Sequence, residues 1–358
     1  MNESKVSVII PTYLRTISLS KAIESVLNQT FQEFEIIVVN DGSNETETIN
    51  ILNKFRDARI KHFCNSRKKG ANGARNTGIL NAKGKYIAML DDDDIFLPTK
   101  LEKQYNFLEN KRDIGVVITQ ADVINEKDKV VRRIDDELSP EDIFYNLIFN
   151  NCVVHCSVMF RKDIVVEAGY YDENLSQAQD YDLWCRFIRI TKFFQINEKL
   201  VLWRDHPVSI TGSKKSFQKL TSIYLVIENL LQFTKLEISP VTISKLQDRI
   251  YENIFELKET ISIFHTIFKC IIIDKDSTLK KIRYKKKLLK KAMFRKIESS
   301  LYVFFIEQPK RLYIVYFLLL PYVAKKVLIK KLIQRVTRKI NLMFYKDKES
   351  LIDSRNFK

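Results

Sequence analysis

Through residues 1 to 120, short apolar runs alternate with segments whose apolar positions recur at helical spacing. Val6 to Ile10, Phe34 to Val39, Ile60 to Cys64, Tyr86 to Leu90 and Gly115 to Thr119 read as strands. Between them, Leu19, Ile23, Val26 and Leu27 recur at i, i+4, i+7 and i+8, and Leu101, Tyr105 and Leu108 follow Pro98, a residue suited to a helix start. Strand and helix in alternation predict βαβ units, hence an α/β fold with a mixed, mostly parallel central sheet flanked by helices. From Ser216 onward the pattern changes to long helical segments rich in Lys, Ile, Leu and Phe, with turn signals at Ser239-Pro240 and Gln308-Pro309. The predicted organisation is an α/β domain over residues 1–212 and a helical C-terminal region over 213–358.

Sheets of this kind bind ligands beyond the carboxyl ends of their strands, so the residues just after each strand are the candidates for chemistry. Pro11-Thr12-Tyr13 follow the first strand, Asn40-Asp41-Gly42-Ser43 the second, and Asp91-Asp92-Asp93-Asp94 the fourth. Carboxylates therefore collect on one edge. No G-x-G-x-x-G follows the first strand, and the Gly78 to Gly84 interval has five intervening residues where a P-loop has four, with Tyr86 after Lys85 in place of Ser or Thr. Phosphate must then be held without a glycine-rich cradle. Four aspartates between the apolar runs Tyr86 to Leu90 and Ile95 to Leu97 repel one another, and a cation or a hydrogen-bond network has to offset that repulsion. Oxygen ligands of this type suit Mg²⁺ or Mn²⁺ bound through one or two carboxylates plus substrate phosphates.

Composition narrows the class. The chain has 358 residues, 45% of them hydrophobic, which is enough for two globular domains and excludes disorder throughout. No 18-residue run is free of charge, so no membrane-spanning helix is predicted. The N-terminal residues carry no readable secretory signal, and Cys64, Cys152, Cys156, Cys185 and Cys270 lack framework spacing, so a reducing, cytoplasmic setting is expected. Cys152, His155 and Cys156 have the elements of a zinc knuckle without a second half, and a structural zinc site is not expected there. The net charge of +16 is uneven: Ser213 to Lys358 carry 32 Lys and Arg against 13 Asp and Glu, or +19, leaving −3 for residues 1–212.

The residues in order resemble the inverting family 2 glycosyltransferases of the GT-A, Rossmann-like type. The resemblance spans roughly residues 4–212. It rests on Val6 to Tyr13, Ser25 to Thr30, Glu35 to Ser43, Gly73 to Gly78, the Asp91 to Asp94 run ending in Leu97-Pro98, Gly169 to Glu173, and Asp180-Tyr181-Asp182-Leu183-Trp184. It implies transfer of a sugar from a nucleotide-sugar donor, UDP being favoured, to a saccharide or lipid-linked acceptor in envelope-polysaccharide synthesis. Carried over by position, Pro11, Thr12, Tyr13, Asp41 and Arg75 match nucleotide contacts, and Asp91 to Asp93 match the D-x-D segment. Asp91 and Asp92 would face the nucleotide, with Asp93 on a Mn²⁺ or Mg²⁺ ion that bridges the phosphates. Asp180 matches the catalytic base at a helix start, although Gln179 stands where the family usually has Glu. His206, in Trp203-Arg204-Asp205-His206, matches a residue that can complete the metal site. The Gln-x-x-Arg-Trp motif of processive members is missing, which implies one sugar added per encounter. Two alternatives are a catalytically idle nucleotide-binding relative and a basic nucleic-acid-binding protein; no nucleic-acid module accompanies the Lys clusters, and the acidic edge would repel a phosphate backbone.

The basic half suggests a further contact. Lys280 to Lys339 carry 19 Lys and Arg against Glu298 and Glu307, interleaved with Leu312 to Leu320 and Tyr322 to Ala324. That apolar stretch is too short to span a bilayer but suits an interfacial helix on an anionic membrane, where each basic residue contributes about 1 kcal/mol. A peripheral position on the cytoplasmic face of the membrane is the corresponding expectation.

Overall fold

A computed structural model describes residues 4–205 apart from 14 and 43, and beyond them 215–234, 238–248, several positions between 256 and 266, and 286–307. The chain runs β1 (Val6–Thr12), α1 (Thr16–Leu27), β2 (Phe34–Asn40), α2 (Glu45–Phe55), β3 (Ile60–Cys64), α3 (Ala71–Asn81), β4 (Tyr86–Met89), β5 (Ile95–Phe96) and α4 (Lys100–Asn110). It continues through β6 (Ile114–Ile124), β7 (Val130–Ile134), α5 (Pro140–Leu147), a 3₁₀ turn at His155–Ser157, β8 (Met159–Arg161), α6 (Lys162–Ala168), α7 (Gln179–Phe187) and β9 (Lys192–Arg204). Helices α8 (Lys215–Thr234), α9 (Pro240–Asp248) and α10 (Lys286–Glu307) follow.

One sheet runs in the order β3-β2-β1-β4-β8-β6-β9-β5, with β7 paired to β6. The first four strands are parallel, as the alternation predicts. Beyond β4 the three-residue β8 is antiparallel to both β4 and β6, while β6 and β9 are parallel. The register sets Thr12 opposite Asn40 and Ile9 opposite Met89, so the residues that follow β1, β2 and β4 emerge on the same edge. Both faces of these strands are covered. Ile9, Ile37, Val39, Ile87 and Met89 enter one core, and Val8, Ile10, Ile36, Val38 and Ala88 the other. That two-sided burial explains why the strands read as continuous apolar runs. Helix α3 lies directly on β1, because a Cβ at Gly78 would stand 2.5 Å from Ile9 Cγ2.

The C-terminal helices join the first of these cores. Ile223, Val226 and Leu230 of α8, Leu246 of α9, and Met293 and Ile297 of α10 pack with Ile143 and Phe144 of α5 and Leu183 and Phe187 of α7. The Tyr145 hydroxyl, buried beneath them, donates to the Phe264 carbonyl at 2.8 Å. The described segments of this region are helices, and they cover apolar faces of α5 and α7. No helix among the described residues is long and apolar enough to cross a membrane. The interfacial stretch expected at Leu312 to Ala324 lies outside the described residues.

Candidate active site

Asp41 leaves the end of β2 with its backbone N–H donating to the Thr12 carbonyl at 3.0 Å. Its carboxylate is nearly buried, and Oδ1 accepts from Asn65 Nδ2 at 2.6 Å and from the Gly70 N–H at 3.0 Å. Asn65 follows β3 and Gly70 precedes α3, so the β2–α2 and β3–α3 connections meet on one carboxylate. Gly42 turns the chain away with φ +84°, a conformation that favours glycine. Pro11 is half-buried at the end of β1. Tyr13 stands in solvent, 47% exposed, with the Lys69 ammonium 5.6 Å from its ring centre.

The four aspartates of the acidic run occupy four different environments. Asp91 Oδ1 accepts from Arg75 Nη2 at 3.1 Å, and Oδ2 lies 3.2 Å from His155 Nδ1. Burial opposes its ionisation, but His155 and Arg75 together hold the carboxyl far below the usual carboxylate range. Asp92 accepts from the Thr12 hydroxyl at 2.7 Å and from Arg15 at 3.3 Å, yet burial pushes it up to about 7. Asp93 pairs with Arg15, whose side chain is 47% exposed. Asp94 is buried and turned inward: its Oδ1 accepts from the Arg204 N–H at 2.8 Å, and burial followed by repulsion from Asp93 and Asp91 pushes its carboxyl well up. Beneath the run, the buried Lys100 ammonium sits 3.8 Å from the centre of the Phe96 ring, and burial pushes it down to about 7. The repulsion foreseen from the sequence is thus met by arginines on either side of the run, while the innermost member is held where burial favours its neutral form.

These residues meet the requirements of a hard cation with one carboxylate. Both oxygens of Asp91 are engaged by Arg75 and His155, whereas Asp93 pairs with the solvent-accessible guanidinium of Arg15, which an ion can replace. Among the described residues no three ligating side chains of the run come close enough to enclose an ion alone. An oxygen donor of this kind, completed by phosphate and water, fits Mg²⁺ or Mn²⁺.

Asp180 lies in the first turn of α7. The cap position belongs to Ala178, in the left-handed region at φ 52°, and not to Asp180 itself. The helix is anchored by Leu183, Trp184 and Phe187, all fully buried. Asp180 Oδ2 accepts from Asn151 Nδ2 at 2.7 Å. Its neighbour Gln179 presents Oε1 to Arg75 Nη1 at 3.0 Å and donates from Nε2 to the Leu175 carbonyl at 3.1 Å. Asp180, Gln179, Arg75, Asp91 and His155 share the wall of a cavity of about 1030 Å³. Asn150, Asn151, Gln195, Trp203, Arg132 and, from α10, Lys296 complete other parts of that wall. Pro11, Thr12, Tyr13, Asp41, Asp92 and Asp93 lie outside it, joined to it through the Thr12–Asp92 hydrogen bond and the continuity of the acidic run. His206 lies outside the described residues.

Comparison with known proteins gives this arrangement its class. Residues 7–167 match the model of Glycosyl transferase family 2. An uncharacterized glycosyltransferase of Methanocaldococcus jannaschii is 36% identical over 233 residues, which is 63% of this chain and 79% of the relative. The chain belongs to glycosyltransferase family 2. A UDP-Glc:alpha-D-GlcNAc-diphosphoundecaprenol beta-1,3-glucosyltransferase of Escherichia coli, WfgD, is 32% identical to this glycosyltransferase over 232 residues, 65% of this chain and 88% of the relative. The crystal structure of S. aureus TarS 1-349 in complex with UDP-GlcNAc superposes with a TM-score of 0.53 at 16% identity, covering 84% of this chain and 90% of that one. This last likeness concerns the fold, which is the GT-A type expected from the sequence.

Several groups of this glycosyltransferase site carry no signal in a linear reading. His155 spans Asp91 and the Tyr171 hydroxyl, the latter 3.0 Å from Nε2, and its ring lies 6.2 Å from Trp184. In the sequence it is visible only beside Cys152 and Cys156, and among the described residues those three form no metal cluster. Arg75 is engaged by Asn72, Gln179 and Asp91, with its guanidinium 5.5 Å from the Tyr171 ring centre, so its fork organises the cavity wall. Arg15 and Asn151 become legible only once the strand order brings them to the acidic run and to α7.

Proposed function

We propose that this glycosyltransferase moves one sugar from a UDP-sugar to a hydroxyl of a saccharide carried on a lipid diphosphate, with inversion at the anomeric carbon. The observation that carries this reading is the shared cavity wall of Asp180, held by Asn151, and Asp91, held by Arg75 and His155. Tyr13 supplies a ring on which a base can stack, Asp41 an acceptor for a base N–H, and Pro11 and Thr12 the backbone edge beside them. Asp91 and Asp92 face the ribose and phosphates. The acceptor hydroxyl gives its proton to Asp180 as its oxygen attacks the anomeric carbon from the face opposite the nucleoside diphosphate, which leaves with the bonding pair. Asp93 would hold a Mn²⁺ or Mg²⁺ ion, and that ion, when bound, would offer Lewis-acid stabilisation to the leaving diphosphate. The named activity of WfgD, a UDP-glucose donor and a diphosphoundecaprenol-linked acceptor, supports the choice of both substrates. An acceptor of this type is embedded in a membrane, so residues 280–358 act as a peripheral attachment to its cytoplasmic face.

Thermal-shift titration with UDP-, GDP- and dTDP-sugars, with and without Mn²⁺, tests the donor. Stabilisation by the UDP-sugars alone, and only with metal, is expected; equal response to all three, or to none in the folded protein, rejects the reading. A second prediction concerns Gly73, where an added Cβ would lie 1.9 Å from the Lys68 carbonyl oxygen and 3.1 Å from Asn65 Nδ2. Gly73→Ala must displace the 65–70 connection that holds Asp41. Loss of a charge-assisted hydrogen bond costs about 1.5 to 3 kcal/mol, so UDP affinity should fall roughly ten- to hundredfold in calorimetry. For the membrane, the full-length protein should float with anionic liposomes and a variant truncated after residue 307, which keeps the α10 helix packed in the core, should not; a full-length protein that stays at the bottom rejects the attachment.

A further inference from the structure

On the face of the sheet opposite α3, away from the catalytic cavity, three side chains of different chemistry converge. His62 and Cys64 are two residues apart on β3 and therefore point to the same face. Glu45, in the first turn of α2, reaches over them. One ligating atom from each, nitrogen, sulfur and oxygen, lies within 4.8 Å of the other two. The Cys64 thiol donates to Glu45 Oε1 at 3.1 Å. His62 Nε2 is buried with no hydrogen-bond partner, a state that costs free energy unless something else occupies it.

We propose that Glu45, His62 and Cys64 form a binding site for a zinc-class divalent ion, distinct from the hard-cation position at Asp93. Thiolate, imidazole and carboxylate together are the donor set of a borderline ion and not of Mg²⁺. Three protein ligands leave a fourth tetrahedral position for water on the exposed side, where Cys64 and Glu45 meet solvent. Binding replaces the thiol proton now shared with Glu45, and that proton passes to solvent. Two rigid elements supply the ligands, a strand and a helix start, so the geometry is set before the ion arrives. Its place in the fold gives the site a consequence. Cys64 directly precedes Asn65, which holds Asp41, and Glu45 begins the helix that follows the Asp41-Gly42 turn. An ion here ties together the two segments that flank Asp41.

Co²⁺ titration of the reduced full-length protein, with Mg²⁺ in large excess to occupy the acidic run, tests the site. One equivalent of Co²⁺ should produce a thiolate-to-cobalt charge-transfer band in the near-ultraviolet, which added Zn²⁺ removes. Cys64→Ser should lack the band, and His62→Gln and Glu45→Gln should each need about tenfold more Co²⁺ or beyond, on the scale seen when metal-site partners are lost. Circular dichroism of each variant establishes that it is folded. Absence of the band in the wild type, or an equal band in Cys64→Ser, overturns the proposal. Neither readout depends on sugar transfer.

Discussion

Asp180→Asn should reduce turnover by about 10² to 10⁴, the range a positioned general base supplies, while UDP-sugar affinity stays near the wild-type value. The asparagine fills the same volume at the start of α7, and Leu183, Trp184 and Phe187 hold that helix in the core irrespective of the charge. Its amide oxygen can still accept from Asn151, so the local geometry survives. What is lost is the ability to receive a proton. The residues proposed to bind the donor, Asp41, Asp91, Asp92 and Asp93, do not touch Asp180, so calorimetry with UDP and metal should not distinguish the two proteins. The assay that decides is UDP release in the presence of acceptor. Turnover at the wild-type rate would remove Asp180 from the role of base and would turn the search to the other carboxylates on the cavity wall, Asp91, Asp136 and Asp248.

The parallel half of the fold was legible because its information is local. Strands buried on both faces must be apolar throughout, and β1, β2 and β4 show this over consecutive residues. Once their order is known, the residues that follow them have one place to go, which is why Asp41 and the acidic run could be assigned to a single edge. The antiparallel half left no comparable trace. β5 has two residues and β8 three, too few for a period to appear, and their pairing with β9 and β4 is a property of the assembled sheet. His155 depends on that half: it reaches Asp91 only because the turn before β8 packs at the end of β4. The differentiation of the acidic run was likewise invisible, since four aspartates are chemically alike until depth separates them. Gln179 shows the opposite case. Its departure from the family's usual Glu stands out in the sequence, but the structure shows that its amide oxygen still accepts from Arg75, so the wall of the cavity closes without the charge.

Depth within the acidic run leads to the second large effect. Asp93→Ala should abolish the metal-dependent part of UDP binding, a loss of at least about tenfold in affinity when Mn²⁺ is present, with little change when it is chelated. Asp93 pairs with the exposed Arg15 guanidinium from a half-buried position, whereas Asp92, which shares that arginine, is buried, and replacement of Asp93 leaves the packing of β4 and β9 untouched. Asp94→Asn is the companion experiment. Asp94 is buried, with burial and its acidic neighbours favouring the protonated form, and its contact with the Arg204 N–H needs only an acceptor oxygen, which asparagine retains. Metal-dependent binding should therefore persist in Asp94→Asn. Calorimetry of UDP with Mn²⁺ and with chelator, run on both variants, separates the two positions. If Asp93→Ala binds UDP with the same metal response as the wild type, the ion is held elsewhere on the edge. If the response is lost in Asp94→Asn and kept in Asp93→Ala, the order of depth proposed for the run is reversed.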